Sequence, residues 1–244
     1  MPIAHPDSRA YRAVAAVVRP ILFALSRRRW SGGEHIPQTG GCIAVANHAT
    51  YLDALTFAHF VYDHGRAPRI LAKSSLFKIP AVGAILRATD MIPVYRNSSG
   101  ASRAIDEAID AIDEGRCVAI FPEGTLTREP DLWPMAGKTG AARLALATRA
   151  PVIPIAQWGA QGILARYGKL LKPFPRKTVT VHAGPPIDFS DLYDRPRDSA
   201  VLREATERMM AAITTLLEEI RGERAPAERF DMRKSSGATP KEIS

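Results

Sequence analysis

CIAVANHATYLDALTFAHFVYD, residues 42–63, decides how the rest of the chain is read. It opens on a short apolar run, Ile43–Ala46, and breaks into the polar turn Asn47-His48-Ala49-Thr50-Tyr51-Leu52-Asp53. From Asp53 to Asp63 it takes a helical pattern. Strand, polar turn and helix form the repeating unit of a layered α/β protein, and the unit recurs downstream. Further strands are expected at 69–72, 92–95, 118–121, 152–156 and 178–182, alternating with helices at 76–87, 101–114 and 138–149. In the helix at 101–114, Ile105, Ala108, Ile109 and Ile112 share one face and Gly115 supplies the stop. The alternation predicts a single α/β domain, a mostly parallel sheet flanked by helices. Another helix is expected at 199–221, and the Arg/Glu/Ser/Lys-rich tail, 222–244, reads as disordered.

Upstream of this unit the composition changes. Residues 9–26 predict an amphipathic helix in which Tyr11, Val14, Val18, Ile21, Leu22 and Leu25 recur at helical spacing while Arg9, Arg12 and Arg19 fall elsewhere. Arg27-Arg28-Arg29-Trp30 follows. Residues 1–29 hold six arginines against the single acid Asp7, more than half of the net charge of +8. A basic amphipathic helix beside a basic-aromatic cluster has the make-up of an interfacial anchor, although a helix packed on the core with solvated arginines has the same pattern. The expected division is a membrane-associating segment at 1–29 and a catalytic domain at 30–221.

A basic chain suits nucleic acid, an anionic membrane surface or phosphate-bearing substrates. Zinc spacing, an RNP-like aromatic strand and a convincing helix-turn-helix are all missing, which argues against nucleic acid. No apolar stretch reaches the roughly 20 residues of a membrane span, and the N-terminal apolar run is broken by Arg19-Pro20, unlike a secretory signal. A peripheral position on the cytoplasmic face of the cell membrane is expected. Cys42 and Cys117 each open an apolar run and are expected to be reduced thiols. With no metal-ligand spacing, neither a metal nor a bound cofactor is expected.

Three polar clusters lie at the ends of expected strands. His48 follows 43–46, where α/β proteins commonly assemble their sites, and if the helix begins near Thr50, Asp53 lies about one turn inside it. A carboxylate there would fix the imidazole tautomer and leave the other ring nitrogen to accept a proton. The alternative is a surface histidine, with Asp53 favoured by the helix dipole. Phe121-Pro122-Glu123-Gly124-Thr125 ends the strand at 118–121 in a tight turn. Ile92-Pro93-Val94-Tyr95-Arg96 ends another strand on an arginine, whose planar fork matches phosphate oxygens. Lys73, just past a strand, and Lys138, at a helix N-terminus, are either phosphate anchors or solvated charges.

Taken in order, NHATYLD at 47–53, IPVYR at 92–96, FPEGT at 121–125 and APVIPIA at 150–156 resemble the four blocks of the glycerophospholipid acyltransferases. The likeness covers about residues 30–190 and is nearest to the bacterial 1-acyl-sn-glycerol-3-phosphate acyltransferases. It implies that His48 is a general base with Asp53 as its partner, and that Arg96, Glu123, Gly124 and Thr125 line the acceptor-phosphate site. It also implies that Val152–Ile155 support the acyl site. Two departures stand out: Ala88-Thr89-Asp90-Met91 lacks the glycine usual before the second-block arginine, and Leu126 follows Thr125, with the arginine delayed to Arg128.

The implied reaction moves a fatty acyl group from acyl-CoA or acyl carrier protein, as co-substrate, to a lysophosphatidic acid hydroxyl. Glycerol 3-phosphate and other lysophospholipids are alternative acceptors. No serine or cysteine sits in a nucleophile turn, so direct attack fits better than a covalent acyl-enzyme. A hydrolase using water at the same His/Asp pair is the remaining alternative.

Overall fold

The computed structural model describes residues 8–95 and 98–235. Seven strands form one sheet: β1 Ser26–Ser31, β2 Cys42–Ala46, β3 Pro68–Lys73, β4 Ile92–Val94, β5 Cys117–Ile120, β6 Val152–Trp158 and β7 Lys177–Ala183. Their order is β1-β7-β6-β2-β5-β3-β4, and every neighbouring pair is parallel except β6 with β7. The helices are α1 Arg9–Leu25, α2 Asp53–Asp63, α3 Pro80–Ala88, α4 Ser98–Asp113, α5 Gly140–Thr148, α6 Ser199–Arg221 and the short α7 Met232–Ser235. This is the expected α/β architecture, with the mostly parallel sheet flanked by helices.

β2, at the centre, is buried along its whole length, and its alternation separates two cores. Ile43 and Val45 join Val118, Ile120 and Val152 in a core shared with α4, α5 and α6. Cys42, Ala44 and Ala46, with Cys117 and Ala119, face α2, whose Phe57, Phe60 and Val61 fill the space above these small side chains. Large residues on one face and small on the other let helices of unlike bulk pack on both sides. Cys42 and Cys117 are register partners and both are free thiols.

The differences from the sequence reading have physical causes. β1 was not expected, because an edge strand exposed on most of its length can be built from Ser-Arg-Arg-Arg-Trp-Ser without an apolar alternation. It carries the chain across residue 29, so the expected boundary there falls inside a strand paired to β7. The single helix expected at 76–87 is a 3-10 turn, Ser74–Lys78, followed by α3, because Pro80 can start a helix but not continue one. α2 matches the helix expected at 53–63, so Asp53 is its first residue and not one turn inside it. The segment after residue 222, expected to be disordered, is described as far as 235. There Phe230 O accepts from Ala136 N (2.9 Å), and Ala225 N donates to Glu218 (2.8 Å). Residues 236–244 lie outside the described residues.

Candidate active site

The C-terminal ends of β2, β5, β3 and β4 lie side by side, which brings the polar clusters after them to one edge of the sheet. The chain leaves β2 through Asn47, whose carboxamide continues the ladder towards β6. Its Nδ2 donates to Gln157 O (3.0 Å) and its Oδ1 accepts from Gln157 N (2.8 Å). Gln157 returns a bond from Nε2 to Asn47 O (3.2 Å), and its Oε1 accepts from Thr56 Oγ1 of α2 (2.7 Å). Both amides are buried. A strand end closed in this way fixes the direction in which residue 48 departs.

His48 is held through its backbone as well as its ring. Its N–H donates to Glu123 Oε1 (2.9 Å), and its carbonyl accepts from Thr127 N (2.7 Å), so the turn after β5 grips both polar groups of one residue. The imidazole stacks on Phe121, with centroids 4.0 Å apart and planes 15° apart. Nδ1 lies 3.3 Å from Asp53 Oδ2. The same Asp53 oxygen accepts from Ala49 N and, at 2.7 Å, from Thr50 N. Asp53 is thus fixed at the first turn of α2, where the helix dipole also favours a carboxylate. Among the described residues His48 Nε2 has no protein partner, and the ring is partly open to solvent. An imidazole with one nitrogen committed to a carboxylate and the other available can act as a general base.

Glu123 turns its carboxylate into the strand-end turn. It is 1% exposed, and both carboxylate oxygens are taken, Oε1 by His48 N and Oε2 by Met135 N (3.0 Å). Burial pushes its carboxyl up to about 8, against the two backbone bonds, which pull the other way; the charge on Asp53 adds to the upward push. A phosphate would find no free face of this side chain. Gly124 does sit at the surface of the turn. Its φ of 67° is left-handed, and a Cβ there would come within 2.9 Å of Lys138 Nζ, so the lysine lies across the glycine. Lys138 N in turn donates to Pro122 O (2.8 Å). Thr125 is half-buried beside it.

Lys73 is exposed at the end of β3, in register with Val94 of β4. Arg96, two residues beyond Val94, lies outside the described residues. Val152–Ile155 form the buried first half of β6, paired with Ile43–Ala46. The sequence reading missed Asn47, Gln157, Thr127 and Arg166 as supports of the site. Arg166 donates to Thr127 O (3.0 Å) and Glu129 O (2.6 Å), and Thr50 Oγ1 donates to Leu164 O (2.6 Å). Asn47 and Gln157 do border two of the quoted blocks, but pairing across 110 residues leaves no local signal.

Comparison with known proteins adds an independent finding. A family model described as Acyltransferase matches residues 27–158. A 1-acyl-sn-glycerol-3-phosphate acyltransferase of Borreliella burgdorferi is 30% identical over 186 residues, 75% of this chain and 71% of the relative. One of Bacillus subtilis is 27% identical over 202 residues, 82% of this chain and 94% of the relative. Among solved structures, the 1-acyl-sn-glycerophosphate (LPA) acyltransferase PlsC from Thermotoga maritima matches with a TM-score of 0.65 at 24% identity. That match covers 88% of this chain and 83% of the other, and it bears on the fold alone.

Proposed function

The chain belongs to the acyltransferase family, and from that premise we propose that it transfers a fatty acyl group from a thioester to the free hydroxyl of 1-acyl-sn-glycerol-3-phosphate, giving phosphatidic acid. The substrate is the one in the names of the relatives from B. burgdorferi and B. subtilis. The observation that carries the mechanism is the contact of 3.3 Å between His48 Nδ1 and Asp53 Oδ2. With Nδ1–H held by the carboxylate, Nε2 takes the proton of the acceptor hydroxyl. The oxygen attacks the thioester carbonyl, the C–O bond forms, the C–S bond breaks, and the thiolate leaves with the proton from the imidazolium. No covalent acyl-enzyme is needed.

The turn after β5 is assigned two separate jobs. Glu123 is a positioning residue that acts on substrate only through the His48 backbone, while Lys138, beside Gly124 and Thr125, contacts the acceptor phosphate. Arg96 and Lys73 are assigned to the same phosphate, since a dianion with three oxygens can engage several donors. The thioester is carried by CoA or by acyl carrier protein. Because the acceptor is a lipid, the protein works as a peripheral protein at the cytoplasmic face of the membrane; among the described residues no helix is long and apolar enough to cross one.

The test is a purified-protein assay with both donors against lysophosphatidic acid, glycerol 3-phosphate and other lysophospholipids. Phosphatidic acid is the expected product, and His48→Ala should lower kcat by about 10²–10⁴-fold without moving Tm. Release of free fatty acid at the same rate with no acceptor present would mean a hydrolase instead.

A further inference from the structure

Between Ile163 and the start of β7 the chain runs through Arg166-Tyr167-Gly168-Lys169-Leu170-Leu171-Lys172-Pro173-Phe174-Pro175-Arg176-Lys177, with five basic residues and no acid. Leu170 is 76% exposed and Phe174 82%, the highest values among the exposed large apolar side chains of the described residues. Leaving such side chains in water is unfavourable, and clustered exposed apolar groups commonly mark a contact surface.

The roots of this segment are fixed although its tip projects. Lys172 N closes the loop onto Ile163 O (2.7 Å). At one root, Leu164 O accepts from Thr50 in the catalytic turn, and Arg166 braces the strand-end turn that grips His48. At the other root, Arg176 donates to Ser26 O (2.7 Å) and to Phe23 O, at the C-terminal end of α1. α1 turns Tyr11, Ala15 and Leu22 inward and leaves Val17 and Ile21 outward. The segment therefore spans the distance from the C-terminal end of α1 to the turn that carries His48.

We infer that residues 166–177 form a second membrane-contact element, which inserts Leu170 and Phe174 among the headgroups of an anionic bilayer and holds the His48 end of the sheet at the interface. The inference rests on the reading of the chain as an acyltransferase with a lipid acceptor. Basic side chains interleaved with apolar ones complement an anionic surface, the cations meeting headgroups while the apolar groups enter below them. An acidic carrier protein would use the same lysines, but it gives no use for the outward Leu170 and Phe174. The bilayer accounts for both.

The experiment compares the full chain with Leu170→Ser/Phe174→Ser and with Lys169→Glu/Lys172→Glu. Each is sedimented with vesicles of phosphatidylglycerol and phosphatidylcholine, and each is assayed for transfer to a short-chain, water-soluble lysophosphatidic acid. Both variants should bind the vesicles at least about tenfold more weakly and keep wild-type transfer to the soluble acceptor. Vesicle binding equal to wild type in the apolar variant overturns the inference. So does a charge-reversed variant that loses only transfer from a carrier-protein thioester, because the surface would then be a protein dock. As a second measurement, Leu170→Cys is labelled with an environment-sensitive dye, selectively because Cys42 and Cys117 are buried. A blue shift on adding the anionic vesicles is expected, and an unchanged spectrum counts against insertion. Wild-type protein that transfers no acyl group to any acceptor is a separate result, which overturns the acyltransferase reading itself.

Discussion

The two ends of α2 carry the same side chain in opposite circumstances. Asp53 is the first residue of the helix and Asp63 the last. At the N-terminal end the helix dipole favours the carboxylate, its oxygen is held by backbone N–H groups three and four residues away, and the object it orients is His48. At the C-terminal end the dipole opposes the carboxylate. Two arginines from outside the helix offset that: Arg19 of α1 and Arg28 of β1, the latter at 2.8 Å. The first end binds its acid to the backbone of one turn and orients the ring of His48. The second joins three elements through long side chains and holds α1 against the domain.

The largest effect that would sharpen this contrast is at Asp53. Asp53→Asn keeps the size of the side chain but removes the charge that stabilises the imidazolium, so kcat should fall by about 10²–10⁴-fold with the acceptor KM little changed. Retention of most of the activity would show that the carboxylate is a structural first-turn residue like any other.

Glu123→Gln comes next, with an expected loss in kcat of about tenfold, because the new amide can accept from His48 N or Met135 N but not both. It also has a signature in stability. Burial raises the Glu123 carboxyl to about 8 in the folded protein, so folding favours its protonated form. The stability that this gives is fully present below the unfolded value near 4.5 and is lost as pH rises through about 8. Tm of the wild type, measured relative to Glu123→Gln, should fall between those limits. Parallel Tm curves would show that Glu123 is charged at neutral pH and held by its two backbone bonds.

The contrast between the two ends of α2 also explains what the sequence made legible. Asp53 and His48 are five residues apart, and the strand, turn and helix that join them have local signatures. The same holds for Phe121–Thr125, so the sheet edge that gathers these candidate residues could be named before any coordinates. Asp63 meets Arg19 and Arg28 across 44 and 35 residues, and the edge strand that delivers Arg28 is almost all polar, so neither pattern nor period announces it. Glu123 shows a different limit of pattern. Its place in the motif was readable, but whether a motif carboxylate faces the substrate or the backbone depends on the turn around Met135, which arrives from twelve residues on. For α1, helical spacing grouped Ile21 with Leu22, whereas the fold turns Leu22 inward and Ile21 outward. A helix covered on one side by α2 and α3 and open on the other has two apolar stripes, and a single period does not separate them.

The smallest expected effect is confined to the C-terminal end of α2. His59, one turn before Asp63, is 5% exposed and lies with Phe23 and Trp30 edge-on to it, at 5.1 and 4.8 Å between centroids. Burial pushes its imidazole down to about 4; Asp63 pulls it up, and Arg19 and Arg28 push it further down. The unfolded chain therefore takes up this proton first as pH falls. The associated stability is present above about 6.5 and is lost between there and about 4. A loss of about 1–3 kcal/mol is the scale set by such a shift, a Tm change of several degrees for a chain of this size. His59→Phe should flatten that part of the Tm curve. In the wild type at pH 5, protease should cut first in α1, and the pH profile of kcat should be the same in His59→Phe as in the wild type. Cleavage that starts instead at the turn around His48, or a pH profile of kcat that moves in His59→Phe, would mean that the two ends of α2 are not independent, and the division between the His48 end and the anchoring end would fail.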